Sequence, residues 1–345
     1  MKYMLSRIYA AVLFLRRHLY RSGVLKQRTL PHPVISVGNL TVGGTGKTPF
    51  VIYLARLLQE ANYETAVLSR GYRGRAENSS LLVSDGSSIL CEPEDSGDEP
   101  YLLASKLPGV VVAVGKNRYR VALDKPETRE ADVYLLDDGF QHIKLRRNLD
   151  ILLWDAAEPL SRLELLPAGR LREPFKAIKR ADLVVVTHAH LSFDYEALER
   201  QIRKHNKIAS ISYFHHDAVG IYDLKSEETY RVRDFSGKRV IALAAIGNPA
   251  VFVEDLAHYQ IEVVDQALFR DHHDFKQGEL DDLLERLDQG DADGLMTTEK
   301  DAVRLRALDF PKEQIFVFQI EFRPEDAADY KKSFLSEMNN LLEPH

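Results

Sequence analysis

The chain has 345 residues, 45% hydrophobic and 28% charged, a composition that suits two folded domains and excludes long disordered stretches. A net charge of −6 argues against general nucleic-acid affinity. The single cysteine, Cys91, excludes an internal disulfide, and no Cys/His cluster has zinc-ligand spacing, so a reducing compartment, the cytoplasm, is expected.

The charge is unevenly placed: residues 1–30 hold seven Lys/Arg and no Asp or Glu. Within them Leu5, Ile8, Val12, Leu15 and Leu19 recur at spacings of three and four, which predicts a helix with one apolar face, and Lys2, Arg7, Arg17 and Arg21 fall on the other side. The uninterrupted apolar run from Ile8 to Leu15 is far short of the roughly 20 residues needed to span a bilayer. Arg16-Arg17 follows it where a signal peptide would carry a small-residue cleavage site. Two placements fit the pattern: the stripe packs on the protein core, or the helix lies in a membrane interface. Leu13 and Phe14 widen the apolar face and favour the interface, where each basic residue gains about 1 kcal/mol from anionic headgroups.

Next comes PVISV, a short β-branched strand, then GNLTVGGTGKTP at 38–49, then the helical FVIYLARLL. A strict phosphate loop, G-x-x-x-x-G-K-[ST], would have Gly where Thr41 stands. The contacts survive that exchange. Gly43, Gly44, Thr45 and Gly46 bring backbone amides onto a polyphosphate, Lys47 reaches the β- and γ-phosphates, and the Thr48 hydroxyl suits Mg2+. A Gly-rich turn with an accidental Lys-Thr is the competing explanation.

Apolar runs at 66–68, 110–114, 133–136, 151–154 and 183–186 continue the alternation of strands and helices. They predict an α/β fold like that of phosphate-loop nucleoside triphosphatases: a mostly parallel sheet flanked by helices, with ligand at the carboxyl ends of the strands. Asp137 and Asp138 directly follow VYLL, where a carboxylate can orient Mg2+ or its waters, although one of the pair can equally cap the turn at Gly139. Arg70 and Arg118, each just past a strand, suit phosphate recognition unless they are simply solvated; Gln141, His142 and, more weakly, Arg172 are further acceptor contacts. The polar stretch 223–238 leads into a second, smaller α/β unit with helical residues near 249–259 and 279–289 and a terminal helix from about 325 to 342. The expected division is 1–30 for the amphipathic helix, 31–220 for the nucleotide domain, and 221–345 for the smaller domain, whose last helix can return to the first. His215-His216 and His188/His190 lack a third ligand at suitable spacing and read as ordinary polar residues.

Three users of nucleotide compete. A GTPase wants Asn-Lys-x-Asp, and the nearest segment, residues 297–301, reads TTEKD; a partition-type ATPase switch carries Lys before the Gly pair, where this chain has Val42. A small-molecule kinase, including one acting on a soluble acceptor, remains. Taken together in order, GNLTVGGTGKTP, LSRGYRG, SGDEP, VGKNR, LLDDGFQH, LPAGRLREP, DHHDF and TEKDAV closely resemble the tetraacyldisaccharide 4′-kinase family over nearly the whole chain. Family members commonly have Pro at the position of Arg170, which leaves that local turn open. The resemblance implies transfer of the γ-phosphoryl group of ATP, with Mg2+, to the 4′-hydroxyl of a tetraacylated glucosamine disaccharide 1-phosphate, a late step of lipid A biosynthesis. It also implies that Asp98 in SGDEP is the general base, with Glu99 near the metal; read alone, that stretch is equally a helix start whose acids complement the dipole. His272, beside His273, would then pair with Asp98 and orient it, which requires closure of the two domains. Acyl chains leave a bilayer at about 0.8 kcal/mol per CH2, so such an enzyme would work peripherally, at the cytoplasmic face of the inner membrane.

Overall fold

In the computed structural model, which describes residues 1–158, 163–188, 194–310 and 314–342, the chain divides into two compact units. The first comprises Met1–His216 and Phe322–His345, the second Asp217–Glu321.

Strands β1 (Val34–Asn39), β2 (Thr65–Ser69), β3 (Leu81–Asp85), β4 (Val111–Val114), β5 (Val133–Leu136), β6 (Leu149–Asp155), β7 (Leu183–Thr187) and the first half of β8 (Ser210–Asp223) form the sheet of the first unit, in the order β8-β7-β6-β1-β5-β2-β4-β3. All its pairings are parallel except β3 on β4. Side-chain alternation splits the core into layers. Ile35 and Val37 of β1 face Phe50, Leu54 and Leu58 of helix α2 (Lys47–Glu60), while Val34 joins a separate cluster on the opposite face. Preceding the sheet is helix α1 (Lys2–Arg21).

Further helices of this unit are α3 (Pro93–Ser96), α4 (Asp98–Lys106), α5 (Arg118–Asp124), α6 (Pro126–Arg129) and α7 (Tyr195–His205). β3 and most of β8 lack a continuous apolar run because one is a half-buried edge strand and the other carries polar residues such as His215, His216 and Asp217.

In the second unit β9 (Thr229–Tyr230) pairs antiparallel with the end of β8, and β10 (Arg239–Ala244), β11 (Glu262–Leu268), β12 (Gly294–Thr298) and β13 (Ile315–Pro324) run parallel in the order β11-β10-β12-β13. Helices α8 (Pro249–His258), α9 (Gln277–Gln289) and α10 (Glu299–Leu305) belong to it, and α11 (Ala327–Leu342) to the first unit. Alternating burial along β11 marks it as an edge strand with one wet face.

None of the α1 residues is buried. The helix is tied to the first unit through polar groups: Ser6 Oγ donates to the Leu165 carbonyl (3.0 Å), Tyr9 Oη to the Arg172 carbonyl (2.8 Å), Arg16 to the Gln141 carbonyl (3.2 Å), and Arg17 is ion-paired with buried Glu173. Ile8, Val12 and Leu15 are more than half exposed and Phe14 is 71% exposed, so the predicted stripe faces away from the core. Of the basic residues assigned to the polar side, Arg17 is occupied by Glu173 and does not meet solvent freely. Among the described residues no helix is long and apolar enough to cross a membrane.

Candidate active site

The site is built at the carboxyl ends of β1, β2 and β5. Between β1 and α2 the chain turns through Gly43 (φ 117°) and Gly46 (φ 74°), both in the region that favours glycine. A Cβ on Gly46 would sit 2.3 Å from Phe322 Cζ, so the buried Phe322 ring presses directly on the loop. The loop is pinned from within and behind: Asn39 Nδ2 donates to Thr45 Oγ1 (2.8 Å) and Thr187 Oγ1 to the Thr45 carbonyl (3.2 Å). Residues 170–172 run antiparallel beside it, with Val42 N–H donating to the Arg170 carbonyl (2.9 Å) and Arg172 N–H to the Leu40 carbonyl (2.6 Å). The Arg170 guanidinium donates to the Val42 carbonyl (2.8 Å) and reaches Glu158 (3.6 Å), which supplies the local turn that the sequence left open.

Opposite the loop stand the two aspartates. Asp138, at φ 50°, receives Arg172 on both oxygens (2.9 and 2.8 Å) and lies 3.7 Å from Lys47 Nζ. Burial pushes its carboxyl up, but Lys47, Arg172 and Arg118 outweigh that and hold it at about 2, so it is a fixed anion. Asp137 is the opposite case: burial first, then Glu99 and Asp138, raise it to about 6, with Ser69 Oγ donating to one oxygen (2.7 Å). Its Oδ1 is buried without a hydrogen-bond partner. A buried carboxylate oxygen left open within electrostatic reach of the phosphate-loop lysine is donor chemistry that a hard divalent cation takes. Among the described residues no cluster of three or more His, Cys, Asp or Glu could hold a metal alone, so the nucleotide's oxygens and water would complete such a shell.

Arg118 is the buried cation of the site, directed at the Asp137 carbonyl (3.5 Å); burial lowers it to about 10, which leaves it charged, and its Nε has no partner. Gln141 Nε2 donates to the Asn39 carbonyl (2.8 Å), joining the segment after the aspartate pair to the end of β1. Next to it His142 is pushed down to about 3 by burial and by Arg118, Arg147, Lys144 and Arg16, so its imidazole is neutral.

Asp98 and Glu99 open α4, where Gly97 (φ 86°) leaves room for the Tyr72 carbonyl that a Cβ would meet at 2.7 Å. The loop 70–76 is stitched to this turn by Arg75 N–H to the Glu94 carbonyl (2.9 Å) and Ala76 N–H to the Asp95 carbonyl (3.0 Å). Arg70 is paired with Glu77 (2.7 Å) and lies over the Tyr72 ring.

The first unit thus brings together Lys47, Asp137, Asp138, Arg118 and Arg172, with Gly43–Thr48, Gln141 and His142 alongside and Glu99 within electrostatic reach of Asp137. Arg172 is held by Asp138, a partner that no local sequence pattern pairs with it. His272 lies in the second unit at φ 59°, receiving Arg304 on Nδ1 (3.0 Å) and lying 3.3 Å from Lys300 Nζ. Its neighbour His273 stacks on Phe269 and pairs with Glu279 (2.9 Å), a structural role that separates the two histidines.

Two further features join segments distant in sequence. Arg17 and Arg180 converge on Glu173, which anchors α1 beside the 170–172 segment. Behind the loop, buried His188 pairs with Asp155 (2.8 Å), and its ring meets His216 at 4.4 Å, which in turn lies 4.4 Å from Phe322. His190 falls outside the described residues.

Residues 2–339 match the family model described as tetraacyldisaccharide-1-phosphate 4′-kinase. The tetraacyldisaccharide 4′-kinase of Pelobacter propionicus is 39% identical over 339 residues, covering 98% of this chain and 91% of that protein. That of Geobacter sulfurreducens is 40% identical, covering 94% and 89%. Among solved structures, LpxK of Aquifex aeolicus in complex with ATP superposes with a TM-score of 0.74 at 33% identity, over 96% of this chain and 97% of that one.

Proposed function

The chain belongs to the tetraacyldisaccharide-1-phosphate 4′-kinase family, and from that premise we propose how its residues divide the work. The reaction is transfer of the γ-phosphoryl group of ATP to the 4′-hydroxyl of a tetraacylated glucosamine disaccharide 1-phosphate, a late step of lipid A biosynthesis. The amides of Gly43–Thr48 cradle the polyphosphate, and the Lys47 ammonium, aligned by Asp138, meets the charge that builds on the transferring group. Thr48 and Asp137, with Glu99 close by, would hold Mg2+, which when bound would supply positive charge against the phosphates; the open, buried Oδ1 of Asp137 is the observation that carries this assignment.

Asp98 takes the proton of the 4′-hydroxyl as that oxygen attacks phosphorus and the bond to ADP breaks. His272 is its positioning residue. Arg118, Arg70, Gln141 and His142 receive the acceptor. Arg172 braces Asp138 through Nη1, and the rest of its guanidinium serves the acceptor.

Helix α1 rests its exposed apolar stripe in the membrane interface at the cytoplasmic face of the inner membrane, which keeps the enzyme where its lipid acceptor resides. The test is γ-labelled ATP with the acylated disaccharide 1-phosphate in neutral detergent micelles. Label should appear in lipid, and Asp98→Asn should cut kcat at least about 100-fold while ATP affinity holds. His272→Ala should shift the acidic limb of the kcat/KM profile. Unaltered turnover in Asp98→Asn removes it as base.

A further inference from the structure

Beside the acceptor residues, at the foot of α1, is a cavity of about 310 Å3 whose lining has four cationic side chains, Lys26, Arg28, Arg120 and Lys144, and no carboxylate. We propose that this cavity is a phosphate-monoester site and that its occupant is the 1-phosphate of the acceptor lipid, an inference that rests on the kinase reading above.

Position supports it first. Asn117 and His142, which line the cavity, are the chain neighbours of Arg118 and Gln141, so the cavity adjoins the face assigned to the disaccharide. Tyr20, from the last turn of α1, closes the side towards the helix whose apolar stripe is exposed. A glycolipid with its acyl chains along that stripe would bring its reducing-end phosphate to this end of the helix.

Construction supports it second. Arg28 N–H donates to the Lys144 carbonyl (2.8 Å), Arg146 N–H to the Arg28 carbonyl (2.8 Å) and Gln27 Nε2 to the Ile143 carbonyl (2.8 Å), so the segment bearing Lys26 and Arg28 is clamped to the one bearing His142 and Lys144. Arg28 also lies over the Tyr119 ring, 5.6 Å from its centroid. Like charges held together by backbone bonds repel one another, and nothing anionic among the described lining residues offsets this. A dianionic phosphate would, with the guanidinium groups donating in pairs and the neutral His142 ring adding a hydrogen bond without further charge. In a chain of net charge −6, four cations gathered around one concavity are a local device rather than a general polyanion surface.

The experiment compares two acceptors in neutral micelles, the disaccharide 1-phosphate and its 1-hydroxyl counterpart, for the wild-type protein, Lys26→Ala and Lys144→Ala. Both lysines are exposed, so the fold is expected to persist. With the 1-phosphate acceptor each variant should lose about tenfold in kcat/KM, the worth of one charge-assisted hydrogen bond at a half-wet site. With the 1-hydroxyl acceptor neither should lose anything, because the partner is already gone. Equal losses on both acceptors, or no loss on either, overturn the assignment while leaving the kinase reading intact. No labelled lipid from either acceptor with the wild-type protein would instead sink the kinase reading and this one with it. A second arm measures sedimentation with vesicles of phosphatidylcholine alone or mixed with phosphatidylglycerol: variants that lose only binding to the anionic vesicles, and treat both acceptors alike, would assign the cavity to a membrane headgroup and refute the 1-phosphate.

Discussion

Gly46→Ala is expected to strain the phosphate loop from two directions. The backbone there has φ 74°, where an L-residue costs about 1–2 kcal/mol. The new Cβ would also lie 2.3 Å from Cζ and 2.6 Å from Cε2 of Phe322. That ring is hemmed in by Phe214 (centroids 6.2 Å apart) and His216 (4.4 Å), so overpacking adds about 1–3 kcal/mol and the total is about 2–5 kcal/mol. The two parts separate in a double-mutant cycle. Phe322→Leu trims the ring atoms that clash, at its own cost of about 1–3 kcal/mol. In that background Gly46→Ala should cost only the backbone term, a coupling of about 1–3 kcal/mol. Urea unfolding followed by the fluorescence of Trp154, the chain's one tryptophan, buried on β6, reports on the first unit. An equal cost of Gly46→Ala in both backgrounds, or a cost under about 1 kcal/mol in the native one, would refute the view that Phe322 buttresses the loop.

Two further outcomes follow from the site and the helix. The carboxyl of Asp137 is raised to about 6 in the fold, so ionising it opposes folding; the destabilisation is absent at low pH, sets in as pH rises past the unfolded value of about 4, and is complete above about 6. Asp137→Asn should therefore stabilise the nucleotide-free protein by about 1–3 kcal/mol at pH 7.5 and by nothing near pH 3.5, while losing most kinase activity; urea midpoints at the two pH values decide it. Ile8→Asp with Leu15→Asp should leave the unfolding midpoint within about 0.5 kcal/mol of the wild type, since both side chains are more than half exposed, yet lower co-sedimentation with vesicles about tenfold or more; unchanged sedimentation would detach α1 from the membrane role.

Much of this molecule is legible one segment at a time. β1, β2, β4, β5, β6 and β7 each announce themselves as short apolar runs because a parallel strand buried on both faces is apolar over most of its length. The phosphate loop and the aspartate pair are equally local, since their chemistry lies in adjacent residues at strand ends. Edge strands β3 and β11, half wet, carry no such signature. What lies between distant segments required the fold. Asp138 and Arg172 are 34 residues apart, and only the packing of residues 170–172 along the loop brings that arginine onto the carboxylate. Periodicity defined an apolar stripe on α1, but its direction was set by where Ser6, Tyr9, Arg16 and Arg17 find partners more than 100 residues away. Local sequence dictates which conformations and charges a segment can offer; which of them are matched, buried or left open depends on neighbours that only chain closure supplies.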